Sequence, residues 1–279
     1  MNILLLASMN VLQLAAATAN MDILEIAYGG SLQKVRSEQA DVKDLTLDAV
    51  QVSVDLPAPA NMDSAVHSYR HFVYGEVLPS SFAAMLQYIG AKESDRYYDL
   101  GAGDGKTAGV AWSLGLHAVG IELIERRFNA SCGAVSALRE ALREPAHAAV
   151  GHSGSLRMVH GSFLHVDWSD ADIVFVASVT FNDALMGELA ARARHLRRGA
   201  KIVSWHAFPG PEFRSLGDGV VHMQTSWQAW DDEPPLPFSL QEKVTEPAPA
   251  RERPHALAGA GEEFTASDMA DCALYTTSP

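Results

Sequence analysis

Two acids and three glycines are the residues best placed to do chemistry. Asp99-Leu-Gly101-Ala-Gly103-Asp-Gly105-Lys106 forms one group, and Glu122 follows roughly 20 residues after Asp99. Glycines at alternate positions permit a tight turn and let backbone N–H groups approach a ligand closely. An acid at the carboxyl end of a strand is where ribose hydroxyls are met in nucleotide-binding sheets, whose ligands sit outside those strand ends. A dinucleotide turn usually reads G-x-G-x-x-G and faces a pyrophosphate across a helix N-terminus. The spacing here differs, and an acid directly before the turn would repel a pyrophosphate. Asp99 suits a ligand that carries an ammonium or a sulfonium, which points to S-adenosylmethionine. The Walker lysine pattern is absent around Lys106.

Other reactive side chains form weaker constellations. His67 and His71 have helical i,i+4 spacing but no third ligand and no intervening glutamate, so no metal site is expected. His206 is a candidate base just past a strand, though a loop histidine is the plainer account. Cys132 and Cys272 are too few for a disulfide framework and fit a reducing compartment, with Cys132 as a small packed residue.

The elements that position these residues alternate. Helices are expected at 80–89, 107–116, 126–143 and 182–196. Strands are expected at 97–100, 117–122, 156–160, 172–177 and 200–205, with further strands at 220–227 and 240–244. Asp172-Ile-Val-Phe-Val-Ala177 is almost wholly apolar, as in a strand covered on both faces. Alternation of this kind implies an α/β fold, a mostly parallel seven-stranded sheet with helices on both faces and right-handed crossovers. Residues 1–65 read as a helical lead-in and linker, 66–245 as the α/β domain, and 246–279, rich in Pro, Ala, Glu and Gly, as a flexible tail.

Composition narrows the class. A formal charge of −13 over 279 residues does not attract bare nucleic acid, and sequence-specific nucleic-acid binding is not expected. Arg192, Arg194, Arg197, Arg198 and Lys201 cluster, but they read as a solvated helix face and its C-terminal end. No apolar run reaches the roughly 18 residues of a membrane helix, and the apolar N-terminus lacks the basic flank of a signal peptide.

Phe72-Val-Tyr-Gly-Glu76, Tyr98-Asp-Leu-Gly-Ala-Gly-Asp-Gly105, Val119-Gly-Ile-Glu122 and His160-Gly-Ser-Phe163 together resemble the DOT1-like methyltransferases. The stretch 167–186 looks like a branch of that family from unicellular eukaryotes. Tyr74-Gly-Glu76 is the most specific part of the likeness, which covers about residues 70–230.

The resemblance implies a Rossmann-like class I methyltransferase fold and S-adenosylmethionine as cofactor. By position, Tyr74 and Glu76 belong to a loop closing over the cofactor's methionine end. Asp99 and Gly101 meet the amino-acid moiety, as does Lys106, which stands where glutamine is common, and Gly103 belongs to the same cofactor-binding turn. Glu122 binds the ribose, and Ser162 and Phe163 flank the adenine. Aspartate is usual where Ser162 stands. The histone enzymes carry an Asn-Asn-Phe-type sequence near the acceptor lysine, where this chain has Ala177-Ser178-Val179-Thr180-Phe181.

A lysine must lose its proton before it attacks a methyl group, and an apolar channel favours the neutral amine. Tyr74, Phe181 and Trp205 are candidates for that channel, and Ser178 and Thr180 for holding the amine or a water. The expected function is a protein-lysine N-methyltransferase, with histone H3 or the nucleosome as the first candidate partner. The alternatives are another protein or a small molecule as acceptor, or a cofactor-binding module without catalysis. A histone-directed enzyme would be nuclear and chromatin-associated; otherwise the expected location is cytoplasmic.

Overall fold

The computed structural model describes Leu24, Tyr28 and residues 77–144, 154–225, 234–248 and 271–275. Helix α1 (Pro79–Tyr88) leads into strand β1 (Arg96–Leu100). Then follow α2 (Lys106–Ser113), β2 (His117–Glu122), α3 (Glu125–Ala141), β3 (Ser155–His160) and β4 (Ile173–Val176). The chain continues through α4 (Asp183–Ala193), β5 (Lys201–Ser204), β6 (Phe213–Met223), β7 (Leu236–Lys243) and β8 (Asp271–Tyr275).

The sheet order is β6-β7-β5-β4-β1-β2-β3-β8. The five central strands are parallel, whereas β7 joins β5, β6 joins β7 and β8 joins β3 in antiparallel fashion. Successive residues of the inner strands enter opposite cores, as a two-residue pleat requires. Tyr97, Ile173, Phe175 and Val203 join Phe82 and Trp112 on one face. Tyr98, Val174, Val176 and Ile202 join Trp168 and Leu189 on the other. Helices α1, α2 and α3 cover the first face and α4 the second, as expected for a doubly wound sheet.

Four features depart from the sequence-based expectation. First, the sheet has eight strands, because Asp271–Tyr275, expected in a flexible tail, pairs with β3. Arg157 forms an ion pair with Asp271, and Arg139 of α3 donates to the Ala273 carbonyl. A five-residue run at a sheet edge carries little local signal; its stability comes from a distant partner. Second, Cys132 and Cys272 are bridged, with Cα atoms 5.7 Å apart, so α3 is tied to β8 across 140 residues.

Third, β6 and β7 start earlier than expected. Pro237 lies within β7, and among the described residues its strand neighbour is His222 of β6 alone, since the β5 pairing ends at Ser239. Proline is tolerated there because one side of the strand needs no ladder bond. Fourth, the packed body extends upstream of residue 66. Leu24 and Tyr28, both helical and one turn apart, are buried in the same core as α2.

Candidate active site

β1 has β2 on one side and β4 on the other, so the strand order reverses at β1 and opens a crevice beyond the carboxyl ends of β1 and β4. The glycine turn lies in that crevice. Gly101, Gly103 and Gly105 all have positive φ, of 98°, 59° and 83°. Side chains other than glycine's rarely adopt such angles, which accounts for the alternate spacing. Gly101 is exposed, and a Cβ there would meet nothing within 4 Å, so its backbone is open to a ligand.

The turn's N–H groups are largely engaged within the protein. Those of Gly101 and Ala102 donate to the Ile121 carbonyl, that of Gly103 to Glu122 Oε2 at 2.7 Å, and that of Gly105 to the Ala102 carbonyl. A phosphate cradle needs such donors free to face an anion. The arrangement therefore disfavours a dinucleotide.

Asp99 is 3% exposed and accepts a hydrogen bond from the Thr107 hydroxyl, in the first turn of α2. Burial pushes its carboxyl up to about 7, the Thr107 bond opposes that rise, and the nearby acids Glu122 and Asp104 add to it. The charges acting on Asp99 are thus negative, an environment that a cationic ligand relieves. Glu122, also buried, accepts from Gly103 N through Oε2 and from Ile124 N through Oε1, each at 2.7 Å. Burial raises its pKa, while Arg127 and these backbone bonds oppose the rise. The Leu123 N–H also bears on this carboxylate, and of its roughly four acceptor sites at least one remains for a hydroxyl donor. Lys106 is buried, with its ammonium 3.7 Å from Asp104. Thr107 escaped the sequence analysis, because a threonine in a helix's first turn is unremarkable without the fold.

The loops after β3, β4 and β5 complete the crevice. The Ser162 hydroxyl accepts the Leu164 N–H at 3.2 Å, a local turn bond. Phe163 and Phe181 lie ring to ring with centroids 5.9 Å apart, so the structure brings together one adenine-side and one acceptor-side candidate. Ser178 is fully buried, and its hydroxyl accepts the His206 N–H at 3.0 Å, which ties the loop after β4 to that after β5. Its place is that of a clamp inside the protein rather than of a group facing substrate. Thr180 is half-buried and His206 exposed. Trp205 stacks edge-on against Phe238 on the opposite face from Phe181. These two aromatics therefore do not form one wall.

Tyr74, Glu76, His67 and His71 lie outside the described residues. Val77, next to Glu76, is buried and bridges to Thr225 just past β6, and Leu78 N donates to Gln224 O. Since β6 runs in the same direction as β5, this junction sits at the same sheet edge as the crevice. Among the described residues no group of three His, Cys, Asp or Glu could hold a metal ion, and no helix is long and apolar enough to cross a membrane.

Comparison with known proteins follows this geometry. The family model for the histone methylation protein DOT1 matches residues 55–223. A "Histone-lysine N-methyltransferase, H3 lysine-79 specific" of Candida albicans is 26% identical over 196 residues, 66% of this chain and 14% of that protein. One of Yarrowia lipolytica is 29% identical over 192 residues, 65% of this chain and 38% of that protein. The chain thus spans well under half the length of these curated relatives. Among solved structures, TrmN from Thermus thermophilus aligns with a TM-score of 0.44 and 18% identity, over 60% of this chain and 49% of that one. With the family model matching more than half of its residues, the chain belongs to the histone methylation protein DOT1 family.

Proposed function

We propose that this chain is an S-adenosylmethionine-dependent protein-lysine N-methyltransferase, with histone H3 in the nucleosome as the first acceptor to test. One observation carries the cofactor assignment. Two buried acids, Asp99 and Glu122, stand at the carboxyl ends of adjacent strands around a glycine turn whose N–H groups are largely engaged within the protein. The residues present fit the cofactor: Asp99 lies among acids, Glu122 keeps an acceptor site for a ribose, and the backbone over Gly101 is open. The bound cofactor supplies an electrophilic methyl on a sulfonium.

This chain's residues supply position and desolvation, which are the main aids to an in-line displacement. Asp99 holds the ammonium end, Glu122 fixes the ribose, and Phe163 lies against the adenine. Lys106 offers a cation to the cofactor's carboxylate. Phe181, beside Phe163, provides the apolar wall that keeps water from the reacting atoms. An incoming lysine is favoured as the neutral amine against such a wall. Tyr74 and Glu76 are assigned to the closing loop by family position.

A second acceptor class is favoured by a specific observation. Arg192, Arg194, Arg197 and Arg198 each face an acid, Glu188, Glu212, Asp172 and Glu246 respectively. That cluster offers little uncompensated positive charge to a nucleosome, whose recognition normally draws on cationic surface. The Ala177–Phe181 departure from the histone enzymes' pattern points the same way. The deciding experiment is transfer of a radiolabelled methyl group onto nucleosomes, free histones and a whole-cell extract. Label on H3 within nucleosomes supports the histone acceptor and a nuclear location. Label on another protein or a small molecule moves the acceptor and leaves the methyltransferase standing. No label on any acceptor, with cofactor binding intact, leaves a binding module.

A further inference from the structure

We propose that Tyr28 is a positioning residue for the cofactor turn, reaching it from outside the family-matched segment. Its hydroxyl donates to the Gly105 carbonyl at 3.1 Å, across 77 residues of chain. The same carbonyl accepts the Gly109 N–H at 2.8 Å, the first helical bond of α2. Both lone pairs of Gly105 O are therefore used. The peptide plane between the turn and Lys106 is held from the helix side and from the Tyr28 side at once.

Gly105, at the start of α2, has φ of +83° and no side chain to cap the helix, and Asp104 Oδ1 accepts the Lys106 N–H at a long 3.3 Å. A capping side chain ordinarily accepts a free N–H group of the first turn. Here a tyrosine from a distant helical residue instead donates to the carbonyl of the peptide that enters the helix. α2 is built to receive it. All eight of its residues are buried, so its outer face is covered by protein. Gly109 leaves the room: a Cβ there would lie 2.7 Å from the Tyr28 hydroxyl and 2.9 Å from its ring. Leu24, one helical turn before Tyr28, anchors the same segment at 2% exposure. Tyr28 precedes residues 55–223, so the turn in this chain leans on a support that the matched segment does not contain.

Tilting of the turn is what Tyr28 opposes. The Gly103 N–H that holds Glu122 lies two residues before Gly105, and the Thr107 hydroxyl that holds Asp99 lies two residues after it. Rotation of the Gly105–Lys106 peptide would shift both acids' partners. The effect is therefore expected in cofactor affinity and not in a chemical step. This inference rests on the assignment of S-adenosylmethionine to the turn.

The test is calorimetric binding of S-adenosylmethionine to full-length variants, with melting temperature as the control for packing. Tyr28→Phe keeps the ring and removes one hydrogen bond. It should raise Kd, by at most about fivefold, and lower the melting temperature by only the few degrees that one hydrogen bond is worth. Gly109→Ala should also weaken binding by displacing the hydroxyl. Its Cβ would meet the ring as well as the hydroxyl, so it should lower the melting temperature too, which sets it apart from Tyr28→Phe. Wild-type affinity in Tyr28→Phe would overturn the proposal. Glu122→Ala, measured alongside, tests the underlying site. If it binds as well as wild type, the turn is not the cofactor site and the role of Tyr28 falls with it. If it binds weakly while Tyr28→Phe does not, only the Tyr28 proposal fails.

Discussion

Lowering the pH from 7.5 to 5.5 should weaken S-adenosylmethionine binding to the wild type and leave an Asp99→Asn variant, already weak, without a pH slope. Burial holds the Asp99 carboxyl at about 7, against 3.8 for an ordinary aspartate. Below 7 the ligand-free site therefore carries a proton that a cationic ligand must displace. Each pH unit below that point costs a factor of ten in affinity, or about 1.4 kcal/mol. At pH 5.5 the loss is roughly 30-fold, or about 2 kcal/mol. The cofactor's own α-amino group, titrating near 8, is mostly charged at pH 7.5 and fully so at 5.5, so it offsets this loss by less than a factor of two.

Stability runs the other way. Between 3.8 and 7 the folded, ligand-free chain holds a proton that the unfolded chain has lost. Its stability contribution from Asp99 thus falls as pH rises through that window and levels off above 7. Calorimetry at pH 6 in two buffers of different ionisation enthalpy reads the proton release directly, with close to one proton expected per ligand. A flat Kd between pH 5.5 and 7.5 with no proton release would mean that Asp99 is ionised beforehand or does not meet the cation. Either outcome would refute the electrostatic account of the site.

Three further outcomes are expected. Gly120→Ala should destabilise the fold by about 1–3 kcal/mol in denaturant unfolding, because a Cβ on β2 would stand 2.8 Å from the Ala102 Cβ and against Met158. Cys272→Ser should lower stability by up to about 5 kcal/mol, given the 140-residue loop that the bridge closes; thiol titration of the native, unreduced protein should find no reactive cysteine. Phe181→Ala should raise Kd for S-adenosylmethionine about threefold through loss of the ring contact with Phe163; a change confined to the acceptor KM would instead place Phe181 in the acceptor channel alone.

The parallel core was legible because its signals are local. Apolar runs such as Asp172–Ala177 and the alternation of strand and helix follow from burial and period, and they recur in β1 to β5 with small shifts of boundary. The cofactor turn was legible because positive φ demands glycine, and three such residues stand between two acids. Features that depend on distant partners were not. Asp271–Tyr275 becomes a strand only beside β3, and Cys132 meets Cys272 only once α3 packs against that strand. Ser178 reads as a substrate-facing hydroxyl until the loop after β5 brings the His206 N–H to it. Tyr28 has no signature at all; its meaning comes from the missing side chain at Gly109.

The position of β8 has a bearing on how the chain is made. A ribosome delivers Tyr28 first, then the turn it supports, and Asp271–Tyr275 long after β3. The nascent protein can therefore assemble its ligand-binding half while β3 still presents an unpaired edge. Exposed edges of this kind pair readily with other chains. Closing the edge depends on a contact between residues more than 100 positions apart, which is slow to find. The interval between synthesis of β3 and arrival of β8 is when this protein is most open to association with its own copies. A bridge formed between α3 and β8 ends that interval by holding the closing strand in place.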